Sequence, residues 1–309
     1  MGKTTIAWTD YTFNPWIGCQ KVSAGCAHCY AERDFKRKPR WANCWGPPAT
    51  TERIRTSDAN WKQPLRWNSQ ARAAGRRDKV FCASLGDVFE DAPGLQPMRE
   101  DLWALIDQTP NLDWLLLTKR VENVARFTRS VGWPHNAWLG FTAENQAMLD
   151  ARVPLALALK VQYRFPVVFV SVEPQLGPII FNRVDLAHRA IAGISWVIAG
   201  GESGPDARPM HPNWARALRD QCVAAGVPFF FKQWGAWWPL HGTGEPTGDE
   251  AADPRPFRWV TLDGTVQTSG CAPDALVVKT RKEHVTPLLD GALWRQMPEA
   301  LRLEGERHD

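Results

Sequence analysis

The sequence lacks the features that carry a chain into or across a membrane. No apolar run approaches the roughly 20 residues that a transmembrane helix needs. The first six residues, MGKTTI, also lack the features of a secretory signal. We therefore expect a cytoplasmic protein, in a reducing compartment where cysteine thiols stay available to bind metal.

Two common nucleotide-binding motifs are missing as well. No G-x-G-x-x-G segment opens a helix after the first predicted strand, which argues against a dinucleotide-binding fold. The segment GKTT at residues 2–5 is similar to the end of a phosphate-binding loop, but no strand or glycine precedes it to build one.

Tyrosine is scarce, with 3 residues, whereas tryptophan is abundant, with 17. Tryptophans in loops can stack on bases or flat cofactors, although they more often pack a loop onto a core. The net charge of +4 permits a polyanionic partner without requiring one. A phosphate-contacting face is one interpretation of the basic residues near the amino terminus, and a solvated surface is the other. These residues are Lys36, Arg37, Lys38, Arg40, Arg72, Arg76 and Arg77.

Three cysteines lie within eleven residues, at Cys19, Cys26 and Cys29, with the spacing C-x6-C-x2-C. A structural zinc site needs four protein ligands, whereas a [4Fe–4S] cluster held by three thiolates keeps one iron open to another ligand. Two alternatives to a three-cysteine iron–sulfur cluster remain. Cys44 could act as a fourth ligand, or His28 could complete a Cys3His zinc site. Disulfides are disfavoured because the seven cysteines are an odd number and no signal peptide is present.

Short apolar segments alternate with helical periodicity along most of the chain. Strands are predicted at residues 4–13, 79–85, 114–117, 137–141, 167–170, 196–199 and 227–231, and helices at 65–74, 98–108, 121–131, 145–159 and 214–225. This alternation predicts an α/β fold with a parallel sheet. Its spacing indicates that residues 1–235 form a full or partial (β/α) barrel. Residues 236–309, rich in Trp, Pro and Gly, are predicted to form a carboxy-terminal lid with a hairpin near 258–266.

Polar residues follow almost every predicted strand. In parallel barrels the chemistry collects where strands end, so these side chains are candidates for one shared site, although helix capping explains some of them singly. The candidates are Ser84, Asp87, Lys119, Thr142, Glu144, Glu173, Glu202 and Lys232. Gly200 and Gly201 lie at the same end of their strand and are candidates through their backbone.

With a three-cysteine loop after its first strand, the chain resembles radical S-adenosylmethionine (SAM) enzymes of the partial-barrel type. More closely, it is similar to a three-cysteine-motif family of phages and bacteria whose function is unknown. The motifs that carry this resemblance are NPWxGCxKVSxGCxxCYA, SLGDVF, LLTKR, VSVEP, GGESGPxARP and FFKQWG. Two departures stand out: six residues separate the first two cysteines where three are usual, and His28 occupies a position that is usually aromatic.

The resemblance implies a [4Fe–4S] cluster on Cys19, Cys26 and Cys29, with SAM on the remaining iron. It implies further that Ser84 and Asp87 meet the methionine ammonium, that Thr142 and Glu144 meet the ribose, and that Gly200 and Gly201 let the backbone approach SAM. Lys119, Glu173, Glu202 and Lys232 remain as catalytic residues for the substrate, a lysine binding an anionic group and a glutamate handling a proton.

The phage setting of the similar family implies a nucleic-acid substrate. We expect hypermodification of a thymidine in phage DNA, through radical isomerisation of an amino-acid-modified base, in the host cytoplasm and with a flavodoxin- or ferredoxin-like electron donor. Such a modification would protect viral DNA from host restriction. A DNA-repair lyase and a non-catalytic, zinc-stapled nucleic-acid-binding module are the alternatives. Cys271 is considered as a hydrogen-atom donor, with a packed thiol as the other interpretation.

Overall fold

The computed structural model of the protein describes residues 4–129, 132–181, 190–240, 257–268, 275–279 and 287–298. These residues divide into two compact units. The first unit contains the described residues of 1–141, 155–169 and 298, and the second unit contains those of 142–154 and 170–297. Across the described ranges, no helix combines the length and apolar character that a membrane span requires. Cys271 lies outside the described residues.

Strands and helices are numbered in chain order. The strands are β1 (Tyr11–Thr12), β2 (Trp16–Ile17), β3 (Ile54–Arg55), β4 (Asp78–Cys82), β5 (Leu112–Thr118), β6 (Ala137–Thr142), β7 (Val168–Val172), β8 (Trp196–Gly200), β9 (Phe229–Gln233), β10 (Trp237–Pro239), β11 (Phe257–Val260), β12 (Val266–Gln267), β13 (Ala275–Lys279), β14 (Leu288–Leu289) and β15 (Ala292–Leu293). The α-helices are α1 (Tyr30–Lys36), α2 (Asp58–Trp61), α3 (Gln63–Ala73), α4 (Leu95–Asp107), α5 (Val124–Thr128), α6 (Gln146–Tyr163) and α7 (Pro212–Ala225).

Seven strands form one sheet in the order β1-β4-β5-β6-β7-β8-β9. The pairs β1–β4, β4–β5, β5–β6 and β8–β9 are parallel. The order follows the chain without a reversal, whereas a doubly wound sheet reverses its order at a switch point. The predicted α/β fold with a parallel sheet is therefore confirmed, and its strand order is the one found in (β/α) barrels.

The core of the first unit is formed by apolar side chains of the parallel strands and of the helix faces that pack on the sheet. Leu102 and Ile106 of α4 are fully buried, as their helical spacing predicts. Gly140 in β6 leaves room for the Phe169 ring, because a Cβ at this glycine would lie 2.1 Å from that ring. Glycine is required there by close packing rather than by an unusual backbone conformation.

Most tryptophans of the protein are buried. Thirteen of the seventeen are buried, which confirms the packing interpretation for them and leaves few indoles exposed for stacking on bases. The buried ones are Trp8, Trp16, Trp45, Trp61, Trp67, Trp103, Trp114, Trp138, Trp196, Trp214, Trp234, Trp237 and Trp259.

Two predicted elements are corrected. The strand predicted at residues 4–13 is reduced to β1, because the preceding residues turn back on themselves, with Thr4 N–H donating to Asp10 O at 3.1 Å and Thr9 N–H to Ile6 O at 3.3 Å. The alternation there reflects a turn that packs Trp8 against Phe81, at a ring-centroid distance of 4.7 Å. The helix predicted at 121–131 is a 3-10 turn at Val121–Asn123 followed by the short α5.

In the second unit, α7 has clear sequence-encoded ends. Pro212 begins the helix, and His211 Nδ1 accepts a hydrogen bond from Asn213 N–H at 3.0 Å. Gly226 ends it with φ of 66°, as predicted from its position. A separate antiparallel sheet has the order β10-β13-β11-β12. Its β11–β12 pair confirms the hairpin predicted near 258–266. Its role as a lid stays a prediction.

Candidate functional site

The cysteine loop follows β1, as predicted, and is fixed at its start by backbone contacts. Cys19 N–H donates to Cys44 O at 3.2 Å, and Gly46 N–H donates to Cys19 O at 3.2 Å. Gly18 precedes them with φ of 120°, and a Cβ there would lie 2.4 Å from Cys44 O. Only glycine fits this close crossing, which sets the position of Cys19.

The other two cysteines lie where the loop turns into α1. Cys26 ends a 3-10 turn at Ala24–Cys26, and Cys29 directly precedes the helix. Cys29 N–H donates to Cys26 O at 3.3 Å. All three thiols of the motif are half-buried, whereas Cys44 is fully buried in an apolar cluster against which Cys19 and Cys29 also pack.

Cys19, Cys26 and Cys29 are the candidate metal ligands of this loop. In the described parts of the chain, no three His, Cys, Asp or Glu side chains are grouped so that they could hold a metal ion. A tetrahedral zinc ion would need its four ligands around one point, and burial raises the pKa of the Cys44 thiol, the alternative fourth ligand. The three thiols match the donor type and number of an iron–sulfur cluster with one open iron.

Two orphaned polar groups lie in or beside the same loop. Ser23 Oγ, between the first two cysteines, is buried without a hydrogen-bond partner among the described residues. The same holds for Nε1 of Trp45, whose backbone bridges to that of Cys19. Buried polar groups are usually satisfied, and hydrogen bonds to sulfur are among the interactions that adjust iron–sulfur clusters. These two groups are compatible with a bound group that brings acceptor atoms, although the described residues include no three ligand side chains grouped for a metal ion.

Arg120 joins the cysteine loop to the end of β5. Its Nη1 donates to Cys19 Sγ at 3.6 Å and to Asp87 Oδ2 at 2.9 Å. Its Nη2 donates to Gln20 O at 2.8 Å and to Glu90 Oε1 at 3.3 Å. The side chain is 7% exposed. The guanidinium is thus held in one position by four acceptors, one of which is the first cysteine of the motif.

The two carboxylates in this network are themselves fully engaged. Asp87 accepts from Thr118 Oγ1 at 2.7 Å and from the backbone N–H groups of Phe89 and Lys119 at 3.0 and 3.1 Å. Glu90 accepts from Gln20 N–H at 2.9 Å. It also forms a two-pronged ion pair with Arg53, at 2.6 and 2.9 Å. We call Arg53, Asp87, Glu90 and Arg120 the buried ionic cluster.

The electrostatics of Cys19 follow from this surrounding. The pKa of its thiol is raised to about 12, mainly by burial; Arg120 lowers this pKa, and the carboxylates of Glu90 and Asp87 raise it. The two arginines and two carboxylates of the buried ionic cluster balance in charge. A thiolate at Cys19 would therefore add a negative charge that the buried ionic cluster does not compensate.

The predicted contact residue Ser84 lies beside the cysteine loop. Its Oγ accepts from Asn14 Nδ2 at 3.0 Å, and Leu85 N–H donates to Asn14 Oδ1 at 2.7 Å. Its carbonyl accepts from Tyr30 Oη at 3.1 Å. Asn14, from the NPW motif, therefore shapes the loop after β4.

Thr142 and Glu144, predicted to meet a ribose, are fully buried at the end of β6. Arg152 of α6 donates from Nη1 to Thr142 O at 2.8 Å and to Glu144 Oε2 at 3.2 Å. In this structure the carboxylate serves an internal ion pair that ties α6 to the strand.

Glu173 and Lys232 come together after β7 and at the end of β9. Lys232 Nζ donates to Glu173 Oε1 at 2.6 Å, and the side chains are 24% and 18% exposed. Gln233 Nε2 lies 2.8 Å from Ser203 Oγ and 3.4 Å from the same Glu173 oxygen. A Cβ at Gly200 would lie 3.4 Å from the Glu173 carboxyl group. In this partly exposed pair, the Lys232 ammonium can bind an anion and the Glu173 carboxylate can accept a proton.

Glu202 is engaged differently. Its carboxylate is buried and receives Arg208 from both Nε and Nη2, at 2.8 and 2.5 Å. Gly201 beside it allows close contact between backbones, because a Cβ there would lie 1.9 Å from Trp234 O. Gly201 therefore has a packing role within the second unit.

The basic face predicted near the amino terminus is corrected in part. Arg77 is 7% exposed and pairs with the buried Asp113 at 2.8 Å, so it is not available to phosphates. Arg76 pairs with Asp78 at 2.7 Å, and Lys36 with Glu32 at 3.1 Å. The remaining cations, which are exposed, are Arg37, Lys38, Arg40 and Arg72.

Sequence reasoning missed Arg53, Glu90 and Arg120. Arg120 and Glu90 stand inside or directly beside the LLTKR and SLGDVF motifs, so the motifs held the signal. Their role depends on partners far away in the chain, since Arg120 and Cys19 are 101 residues apart.

Comparison with known proteins places the chain in a family without assigning it an activity. No curated protein and no solved structure matches it. One family matches residues 3–298, nearly the whole chain, including the cysteine loop, the buried ionic cluster and the Glu173–Lys232 pair. The protein is a member of the DUF5131 family, described as a protein of unknown function.

Proposed function

We propose that the protein is a radical SAM enzyme of the partial-barrel type that abstracts a hydrogen atom from a nucleic-acid or nucleotide substrate. Cys19, Cys26 and Cys29 would hold a [4Fe–4S] cluster, and SAM would occupy its open iron. The observation that carries this proposal is the placement of three half-buried thiols in one loop after β1 of a sequentially ordered parallel sheet. When bound, the cluster and SAM supply a 5′-deoxyadenosyl radical.

The chain's own residues would hold and shield these groups. The Asn14 side chain fixes Ser84 beside the cysteine loop, where the Ser84 hydroxyl would meet the methionine part of SAM. Asp87 would act on the ammonium through its charge, since its oxygens already accept four hydrogen bonds. Thr142 and Glu144 would support the ribose side through the strand end that Arg152 holds.

The substrate roles fall to the half-exposed polar residues. Lys232 would bind an anionic group of the substrate, and Glu173, 2.6 Å from its ammonium, would accept or return a proton. Lys119 is half-exposed directly after β5 and is a further cation for the substrate. Glu202 would keep Arg208 in place through their two-pronged pair.

For the substrate itself, we propose a modified thymidine in phage DNA, isomerised by radical chemistry in the host cytoplasm so that the viral DNA resists restriction. The exposed cations Arg37, Lys38 and Arg40 lie shortly after α1 and the cysteine loop. Their neighbouring positive charges favour a polyanionic partner. Electrons would come from a flavodoxin- or ferredoxin-like donor.

The experiment is anaerobic reconstitution with iron and sulfide, followed by metal analysis and an assay for 5′-deoxyadenosine with SAM and a reductant. We expect about four irons and four sulfides per chain and 5′-deoxyadenosine in the wild-type protein. The Cys26→Ala variant should lose both. Cys222→Ala, which removes a buried thiol from α7, is the matched control and should keep both.

Other outcomes separate the alternatives. A colourless protein that holds zinc and no acid-labile sulfide would refute the proposal and indicate a zinc-stapled binding module. A protein that cleaves SAM and converts damaged DNA to repaired thymine would keep the radical chemistry and replace the isomerase by a lyase.

A further inference from the structure

Arg120 lies outside the three-cysteine motif and contacts one of its sulfur atoms. Its Nη1 lies 3.6 Å from Cys19 Sγ, within hydrogen-bond range for sulfur. The guanidinium cannot turn away easily, because Asp87, Glu90 and the Gln20 carbonyl hold its other N–H groups. We propose that Arg120 is a positioning residue that fixes the Cys19 sulfur and adjusts the reduction potential of the cluster bound there.

The charges of the buried ionic cluster give this role its direction. A cationic N–H donor to a ligating sulfur stabilises the more negative, reduced state, and both net charge and hydrogen bonds to sulfur set cluster potentials. Asp87 Oδ2, 2.9 Å from Arg120 Nη1, opposes that effect with its negative charge. Removing Arg120 and removing the Asp87 charge should therefore move the potential in opposite directions.

The geometry also distinguishes arginine from lysine at this position. Four acceptors surround the guanidinium, and they include a carboxylate, a second carboxylate, a carbonyl and the Cys19 sulfur. A lysine ammonium is a point charge with three donors and lacks the planar fork. Arg120→Lys should keep the charge and lose part of the contact with sulfur, so its effect should be intermediate.

The test is a reductive titration of the reconstituted protein, followed by its visible and electron paramagnetic resonance spectra. We expect that Arg120→Gln lowers the ratio of reduced to oxidised cluster at one fixed potential about tenfold, which is 59 mV for one electron. Arg120→Lys should lie between Arg120→Gln and wild type. Asp87→Asn should raise the ratio.

Arg77→Gln is the matched control for the loss of a buried arginine. Arg77 is 7% exposed, like Arg120, and pairs with Asp113 at the opposite end of β5. At about 3.3 Å per residue, Asp113 lies about 20 Å from the residues that follow the carboxyl end of β5, which include Arg120. The control variant should lose stability and keep the wild-type potential.

The inference rests on the proposed function, and the two fail in different ways. A wild-type protein that takes up no iron and sulfide would refute both. A wild-type protein that holds the cluster, with equal potentials in Arg120→Gln and Arg77→Gln, would refute the inference alone. So would a shift of the same sign in Asp87→Asn and Arg120→Gln. If Arg120→Gln does not fold, Arg120→Lys and Asp87→Asn still decide by the sign of their shifts.

Discussion

The Glu90→Gln substitution tests whether the buried ionic cluster holds the cysteine loop in place. Glu90 accepts hydrogen bonds from Arg53 at 2.6 and 2.9 Å, from Arg120 at 3.3 Å and from Gln20 N–H at 2.9 Å. The substitution preserves the volume of the side chain and removes its charge. Arg53 would then lose its carboxylate partner, whereas Arg120 would keep its ion pair with Asp87.

The magnitude follows from the burial of this cluster. The side chains of Arg53 and Glu90 are 1% and 2% exposed, so water screens their interaction very little. Removing one partner of a buried ion pair costs about 3–5 kcal/mol. Because glutamine keeps one acceptor oxygen, we expect the free energy of unfolding to fall by about 3 kcal/mol. At about 1.5 °C per kcal/mol for a chain of 309 residues, the midpoint of thermal unfolding should fall by about 5 °C.

The assay is thermal unfolding of the metal-free protein followed by tryptophan fluorescence, so the result does not depend on the proposed cofactor. Glu122→Gln, at an exposed glutamate, is the matched control and should change stability by less than about 0.5 kcal/mol. In a double-mutant cycle, Arg53→Met with Glu90→Gln should cost at least about 1 kcal/mol less than the sum of the single variants. Equal midpoints for Glu90→Gln and Glu122→Gln would refute the reasoning.

Two further predictions concern thiols and backbone packing. Burial raises the pKa of the Cys222 thiol to about 12, so this residue should stay unmodified by iodoacetamide at pH 8 in the folded, metal-free protein. The half-buried Cys26 should react under the same conditions. Mass spectrometry of the labelled peptides measures both, and equal labelling of the two cysteines would contradict the prediction. Gly201→Ala should destabilise the protein by about 1–3 kcal/mol, because its Cβ would press on Trp234 O at 1.9 Å. Gly177→Ala, with nothing within 4 Å of its Cβ, is the control for thermal unfolding. Equal unfolding midpoints of the two variants would contradict the prediction, because they would show that the backbone at Trp234 can move away from the new methyl group at little cost.

Much of the fold could be predicted from local patterns. The strands β4 to β9 and the helices α4, α6 and α7 lie within a few residues of their predicted positions, because periodic apolar residues report which face of an element is buried. Gly226 marked the end of α7 for the same local reason, since its left-handed backbone favours glycine. The pattern failed at residues 4–13, where alternating residues belong to a turn.

The candidate site divides along the same line. The sequence by itself determined that Cys19, Cys26 and Cys29 share one loop, because their spacing is local. Only the tertiary structure decided that Arg77 forms an ion pair with Asp113, and that Arg120 contacts Cys19, 101 residues away in the sequence. Charged residues show their sign in the sequence but not their partners, and in a folded chain the partner and the burial decide whether a charge binds a ligand or supports the structure.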